Sequence, residues 1–115
     1  MNTIKLSIRQ AGDVSVVDVV GRVTLGEGSS ALGDTLRGLA SKGSKKVLVN
    51  LAEVSYIDSS GIGEMVSGFT TVTNQGGQVK LLNLTKRVKD LLQITKLYTV
   101  FEVFEDEAAA VRSYS

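Results

Sequence analysis

The strongest constraint on the fold of this chain is the way its hydrophobic pattern changes between two periods along the sequence. In five segments apolar residues alternate with polar ones or run together, which is typical of strands. In four other segments apolar residues recur every three or four positions, which is typical of amphipathic helices. The predicted strands are residues 3–8, 14–20, 46–51, 78–82 and 100–104.

The predicted helices follow the second and later strands. The first carries apolar residues at helical spacing, with Ser29 or Ser30 as its N-cap and Gly43 just past its end: Leu32, Leu36, Leu39 and Ala40. The others cover residues 60–73, 85–95 and 105–113. Gly21 is expected to stop the second strand or to form a bulge. The order ββαβαβαβα predicts one α/β domain over residues 1–115, with a mixed, mostly parallel sheet, an N-terminal β-hairpin at its edge and helices packed on the sheet.

Composition narrows the chemistry that such a domain can perform. The 115 residues include no Cys and no His, which excludes disulfides, cysteine nucleophiles, the usual zinc ligands and a Ser-His-Asp triad. The 13 basic and 12 acidic residues give a net charge of +1, so there is no general attraction for nucleic acid. No apolar run approaches the ~18 residues of a membrane-spanning helix. We therefore expect a cytoplasmic protein without catalysis, metal, cofactor, nucleic-acid partner or direct membrane insertion.

The segment from Tyr56 to Gly63 is the most informative part of the sequence. It follows the predicted buried strand that ends at Leu51 and leads into the second helix. A serine at that helix start lies among unpaired backbone N–H groups at the positive end of the helix dipole, a place that accepts a phosphate. Gly61 and Gly63 are poor helix formers, and they would leave the backbone open to a partner near Ser59. The same residues also fit an ordinary helix cap, and the physical pattern alone leaves both interpretations open.

A resemblance favours the functional interpretation. The run Tyr56-Ile57-Asp58-Ser59-Ser60-Gly61-Ile62-Gly63 resembles the signature of the STAS domain, which is named for sulphate transporters and anti-sigma-factor antagonists. Three further stretches support it: residues 17–23, 47–51 and 81–85. The resemblance covers essentially the whole chain. The sequence departs from the family's Gly-x-Leu-Asp pattern at the end of the second strand, where it reads Gly21-Arg22-Val23-Thr24.

The resemblance implies an anti-sigma-factor antagonist in which Ser59 is phosphorylated. The unphosphorylated protein would bind an anti-sigma factor with serine-kinase activity and free the sigma factor, and a PP2C-type serine phosphatase would remove the phosphate. We expect a monomer or a weak dimer. The residues expected to contact the partner flank Ser59 or lie in the connection after the second strand: Asp58, Ser60, Gly61, Ile62, Gly63, Thr24, Gly26, Glu27 and Gly28.

Other patterns leave alternatives. Residues 26–31 match a G-x-G-x-x-A dinucleotide fingerprint, but no acidic residue ends the next strand, so we interpret them as a flexible loop on the partner surface. We interpret three basic residues of the third helix as part of its solvated face or as a weak contact surface: Lys86, Arg87 and Lys89. An alternative within the same family is an accessory subunit of a lipid-trafficking ABC transporter. A carboxylate-dependent hydrolase built around Asp58 is a more distant alternative.

Overall fold

The computed structural model describes residues 4–114, and within them it shows the predicted order of elements. The strands and helices alternate after an opening hairpin: β1 Ile4–Ala11, β2 Val14–Val23, α1 Glu27–Ser41, β3 Lys46–Ile57, α2 Ser59–Asn74, β4 Gln78–Leu82, α3 Lys86–Ile94, β5 Val103–Phe104 and α4 Glu107–Arg112. The predicted start of the first strand, at residue 3, lies outside the described residues.

The five strands form one mixed sheet in the order β1-β2-β3-β4-β5. β1 and β2 are antiparallel and turn through Gly12, whose φ of 65° suits glycine. The remaining neighbours are parallel, so the predicted antiparallel edge on a mostly parallel sheet is confirmed. Gly21 does not stop the strand, since β2 continues to Val23. Gly21 pairs with Val54 and Arg22 with Tyr56, so the extra residue at the register shift beside Gly21 is Ser55 of β3.

The sheet is covered on both faces because its buried strands carry apolar residues on both sides. Val47 and Val49 face the core shared with α1, α2 and α3, whereas Leu48, between them, packs in a second cluster with Ala110 and Tyr114 at the C-terminal helix. The Tyr114 hydroxyl donates a hydrogen bond to the Val47 carbonyl. This arrangement is what period-two alternation in a doubly covered strand requires.

An ion-pair network connects α4 to the sheet. The Arg9 guanidinium on β1 lies 2.7 Å from the Asp18 carboxylate of β2 and 2.6 Å from that of Glu107 on α4. Hydrogen bonds from Arg9 lower the pKa of Asp18 and that of Glu107 below their ordinary values. Because the side chains are partly exposed, each pair contributes at most about 1 kcal/mol.

Several predicted boundaries are wrong. β1 and β2 continue to Ala11 and Val23, three residues beyond their predicted ends. β3 continues to Ile57 instead of ending at Leu51, because its second half pairs with the end of β2. The first helix begins at Glu27, with Gly26 at the N-cap position and no side-chain cap, so neither Ser29 nor Ser30 caps it.

The last strand is also shorter than predicted, with only Val103–Phe104 paired to β4. Phe101 lies in the predicted strand, but its side chain is buried in the core that the sheet shares with α1, α2 and α3. Its ring packs edge-on against that of Phe69, with the centroids 5.1 Å apart. This tertiary contact replaces regular strand pairing at the sheet edge.

Candidate functional site

The candidate site lies where β2 and β3 extend beyond β4. The last residue of β4, Leu82, pairs with Asn50, whereas β3 continues alongside β2 as far as the Val23–Ile57 pair. The backbone N–H of Asp58 donates to the Val23 carbonyl at 3.3 Å. The two connections that follow these parallel strands are thereby held together at the carboxyl ends of the strands, a common place for binding sites in α/β sheets.

The Asp58 carboxylate joins these two connections. Its Oδ1 accepts the backbone N–H of Gly61 at 3.0 Å, and its Oδ2 accepts that of Leu25 at 3.0 Å. Burial would raise the pKa of Asp58, but these N–H groups and that of Ser60 outweigh it, and the pKa lies below its ordinary value. Asp58 is therefore an ionised N-cap that fastens the β2–α1 connection to α2. With both oxygens engaged, it is poorly placed to act as the nucleophile of a hydrolase.

Ser59 is the first residue of α2, and its side chain is exposed. Within residues 4–114 its hydroxyl has no hydrogen-bond partner, so its oxygen is free to react. The neighbouring Ser60 is half-buried. Asp58, and not Ser59, caps the helix. The hydroxyl of Ser59 therefore has no role in capping α2.

The two glycines after Ser59 have different roles. A Cβ on Gly61 would lie 2.4 Å from the carbonyl oxygen of Val23, so this glycine is needed where α2 crosses close to β2. Gly61 is buried and presents no open backbone to a partner. Gly63 is exposed, and a Cβ there would meet no atom within 4 Å. Only Gly63 agrees with the expectation that glycine leaves this surface bare.

Two other predicted contact residues lie inside the protein. Ile62 is 2% exposed and belongs to the core that the sheet shares with α1, α2 and α3. Gly28 is buried at the start of α1, where a Cβ would lie 2.6 Å from the Arg22 carbonyl oxygen. In this structure neither residue is available to a partner, and their identities are explained by packing.

The β2–α1 connection brings the remaining predicted residues close to Asp58. Thr24 is half-buried, and Gly26 and Glu27 are exposed. The expected flexible loop over residues 26–31 is wrong, because residues 27–31 already belong to α1. Sequence analysis missed Leu25, whose side chain is 80% exposed although its backbone is fixed by Asp58. The available signal was a single large apolar residue in a short polar connection.

Sequence analysis also missed a cluster at the end of β3, three residues before Ser59, that is formed by Arg22, Tyr56 and Arg87. The guanidinium carbon of Arg22 lies 5.0 Å from the centroid of the Tyr56 ring, and that of Arg87 lies 4.3 Å from it. Arg87 Nε also donates to the Ile57 carbonyl at 3.3 Å. Of the predicted basic group on α3, only Arg87 takes part in this cluster.

Two further features bear on other classes of function. Residues 4–114 contain no group of three or more acidic side chains placed to hold a metal ion. None of their helices combines the length and the apolar character needed to cross a membrane.

Comparison with known proteins gives a consistent result. A model of the STAS domain family matches residues 5–110. The anti-sigma-B factor antagonist of Bacillus subtilis (strain 168) is 32% identical over 100 residues, which cover 87% of this chain and 90% of that protein.

Solved structures agree in fold. An anti-sigma factor antagonist from Mycobacterium paratuberculosis has a TM-score of 0.82 at 16% identity, covering 96% of this chain and 93% of that one. The Bacillus cell fate determinant SpoIIAA in its phosphorylated form has a TM-score of 0.76 at 16% identity, covering 96% of this chain and all of that one (100%). At this level of identity the two structures support the fold alone.

Proposed function

Because the chain belongs to the STAS domain family of anti-sigma-factor antagonists, we propose that it binds an anti-sigma factor and that phosphorylation of Ser59 abolishes this binding. The observation that carries the proposal is the position of Ser59, which is exposed at the first residue of α2 while Asp58 provides the cap. The phosphorylated form of SpoIIAA, a structural neighbour, is in keeping with a phosphorylation switch on this fold.

The free protein should tolerate a phosphate at Ser59. The first backbone N–H groups of a helix lack intrahelical acceptors, and a negative charge there is favoured by about 0.3–1 kcal/mol. Asp58 already accepts the N–H of Gly61, and its own negative charge opposes part of this gain. The net effect of the phosphate on the free energy of unfolding should therefore be small, whether favourable or unfavourable. Phosphorylation should leave the fold intact.

The same phosphate would act strongly within an interface. The backbone of Leu25 is held by Asp58, the residue before Ser59, and its exposed side chain is a suitable apolar anchor for a partner. A doubly charged group placed there must lose its water when a partner covers it, and like-charge contacts cost several kcal/mol. Shifting a complex from 99:1 to 1:99 requires about 5.5 kcal/mol. The phosphate can therefore control binding without altering stability much.

The partner in this proposal is an anti-sigma factor that is itself a serine kinase, and a PP2C-type phosphatase reverses the reaction in the cytoplasm. Nothing in the described residues 4–114 gives specific support to the transporter-subunit alternative. A curated relative that matches 87% of the chain is an anti-sigma-B factor antagonist.

The test combines mass spectrometry with binding to the kinase-like anti-sigma factor that co-purifies with the native protein. We expect one phosphate on the peptide that contains Ser59, none in Ser59→Ala, and normal phosphorylation in Ser60→Ala, the matched control. Ser59→Ala should bind the partner constitutively, and Ser59→Asp should bind weakly while remaining folded. Equal affinities of Ser59→Ala and Ser59→Asp, or a phosphate on Ser60 instead, would contradict the proposal.

A further inference from the structure

The cluster of Arg22, Tyr56 and Arg87, called here the Arg–Tyr–Arg cluster, is built by the extension of β2 and β3. Arg22 pairs with Tyr56 across the two strands, next to the buried pair Val23 and Ile57. Because side chains alternate along a strand, Arg22 and Tyr56 point away from the core that Val23 and Ile57 enter. On the side away from β2, no strand of the described residues pairs with this half of β3, and Arg87 reaches it there from α3.

The two guanidinium groups in the cluster are not neutralised. Elsewhere in the described chain, Arg9 pairs with Asp18 and Glu107, and Arg37 pairs with Asp34 and Glu64. Neither exposed arginine of the cluster has a carboxylate within 4 Å among residues 4–114.

Stacking on an aromatic ring orients a guanidinium group in advance. Less conformational entropy is then lost when its planar fork binds a carboxylate. In Arg87 only Nε is engaged by the Ile57 carbonyl, which leaves the terminal nitrogens available. The cluster therefore combines two free positive charges with a fixed geometry.

We propose that the Arg–Tyr–Arg cluster binds a carboxylate-rich segment of the partner protein. This deepens the function proposed above and rests on it for the identity of the partner. Tyr56 precedes Ser59 by three residues, which span at most about 11 Å of chain. The Debye length is about 8 Å at physiological ionic strength, which is comparable with this span, so a phosphate on Ser59 would act on an acidic segment at the cluster with partial screening. The phosphate would both repel an acidic segment and compete with it for the cluster.

An acidic protein segment fits the cluster better than a nucleic acid does. Binding of a nucleic-acid strand depends on several cations along its backbone and on aromatic faces that are open to bases. Here the ring of Tyr56 is already contacted by two guanidinium groups, and Lys86 is paired with Asp90. The net charge of +1 gives no further attraction.

The first experiment titrates the ¹⁵N-labelled protein with a hexaglutamate peptide and follows the backbone and arginine Nε–H signals. We expect saturable shifts at Arg22, Tyr56 and Arg87 that weaken with added salt. The double variant Arg22→Gln/Arg87→Gln should bind about tenfold more weakly, which is the size expected for two exposed charge pairs.

Three variants serve as controls. Arg112→Gln should leave the affinity within about twofold, because Arg112 is an exposed arginine on α4, whose Ala110 packs beside the start of β2 and not beyond its end. Tyr56→Leu removes the ring without changing charge and should weaken binding, whereas Tyr56→Phe keeps the ring and should bind normally. An unchanged amide spectrum in the free state reports that each variant is folded.

Several outcomes would overturn the proposal. These are equal shifts at Arg112, equal affinities of the double variant and Arg112→Gln, or tighter binding of a ten-residue oligothymidine to the same residues. The titration contains no kinase and no phosphate, so it gives the same result whether or not Ser59 is a phosphorylation site. A positive titration with an unphosphorylated Ser59 in cells would leave the acidic-segment site standing and remove only the switch.

Discussion

Alanine at Gly61 and alanine at Gly63 should change the stability of the protein in opposite directions. The two glycines lie in the first turns of the same helix, and alanine is favoured over glycine in a helix by about 1 kcal/mol. At Gly63 a Cβ meets nothing within 4 Å, so Gly63→Ala should gain most of this amount. At Gly61 the new Cβ would lie 2.4 Å from the Val23 carbonyl oxygen and 2.8 Å from Ile57 Cγ1.

The magnitude follows from what must move to accept the methyl group at Gly61. Overpacking a core costs about 1–3 kcal/mol, and the upper end applies because the nearest atom is backbone that cannot rotate away. The same Val23 oxygen accepts the N–H of Asp58, so its displacement also disturbs the cap of α2. Subtracting the helix gain leaves a net loss of about 2 kcal/mol for Gly61→Ala. The two alanine variants should therefore differ by about 3 kcal/mol.

Thermal and urea unfolding of the wild type and both variants measure this difference. For a domain of this size, 3 kcal/mol corresponds to about 12 °C in the melting temperature. The order of stability should be Gly63→Ala, wild type, Gly61→Ala. If Gly61→Ala were as stable as Gly63→Ala, the close approach of α2 to β2 would be refuted as the reason for this glycine. Its role would then have to lie in contact with a partner.

Two predictions concern ionised carboxylates. Asp58→Ala should cost about 1–2 kcal/mol through loss of the cap, and Asp58→Asn less. The lowered pKa of Asp58 stabilises the fold above the ordinary pKa of a carboxyl group, and this stabilisation is lost as the pH falls through the folded-state value. Urea unfolding from pH 7 to pH 3 should therefore show the gap between wild type and Asp58→Asn closing below about pH 4, and a constant gap would contradict this. Arg9 lowers the pKa of Glu107 in the same sense, so Arg9→Gln should lose less stability than the wild type over that acid range. An identical acid profile for both proteins would show that Arg9 does not hold α4.

The order of elements could be predicted from the sequence because hydrophobic periodicity is a local property. The hairpin follows from short stretches that are neighbours both in the chain and in the fold. The start and end of β4 follow from its own short apolar run, although its partner β3 lies far away in the chain. The second half of β3 could not be predicted in this way, since its apolar run ends at Leu51 and its pairing is with residues of β2 more than thirty positions earlier. The shortened last strand has the same kind of cause, because the partner of Phe101 is Phe69 on α2.

The candidate site also combines features that depend on local sequence with features that depend on long-range contacts. The exposure of Ser59 and the start of α2 beside it follow from a local cap, and the sequence contains that information. The role of Gly61 depends on Val23, and the Arg–Tyr–Arg cluster depends on side chains from β2, β3 and α3. No spacing within a single segment reveals either feature. Ile62 is the opposite case. The resemblance implies that it contacts the partner, whereas its helical spacing indicates burial, and it is 2% exposed.

The contacts around Asp58 determine how a phosphate on Ser59 can act. The backbone N–H of Asp58 bonds to the end of β2, and its carboxylate bonds to the N–H groups of Leu25 and Gly61. The start of α2 is therefore held by three hydrogen bonds and by a close glycine contact, which leaves little freedom for a rearrangement on phosphorylation. A charge placed on so firmly held a surface changes what the surface can bind, and not its shape. A switch of this kind requires only that the partner cover Ser59 and its neighbours, which is the geometry that the exposed Leu25 and the Arg–Tyr–Arg cluster provide.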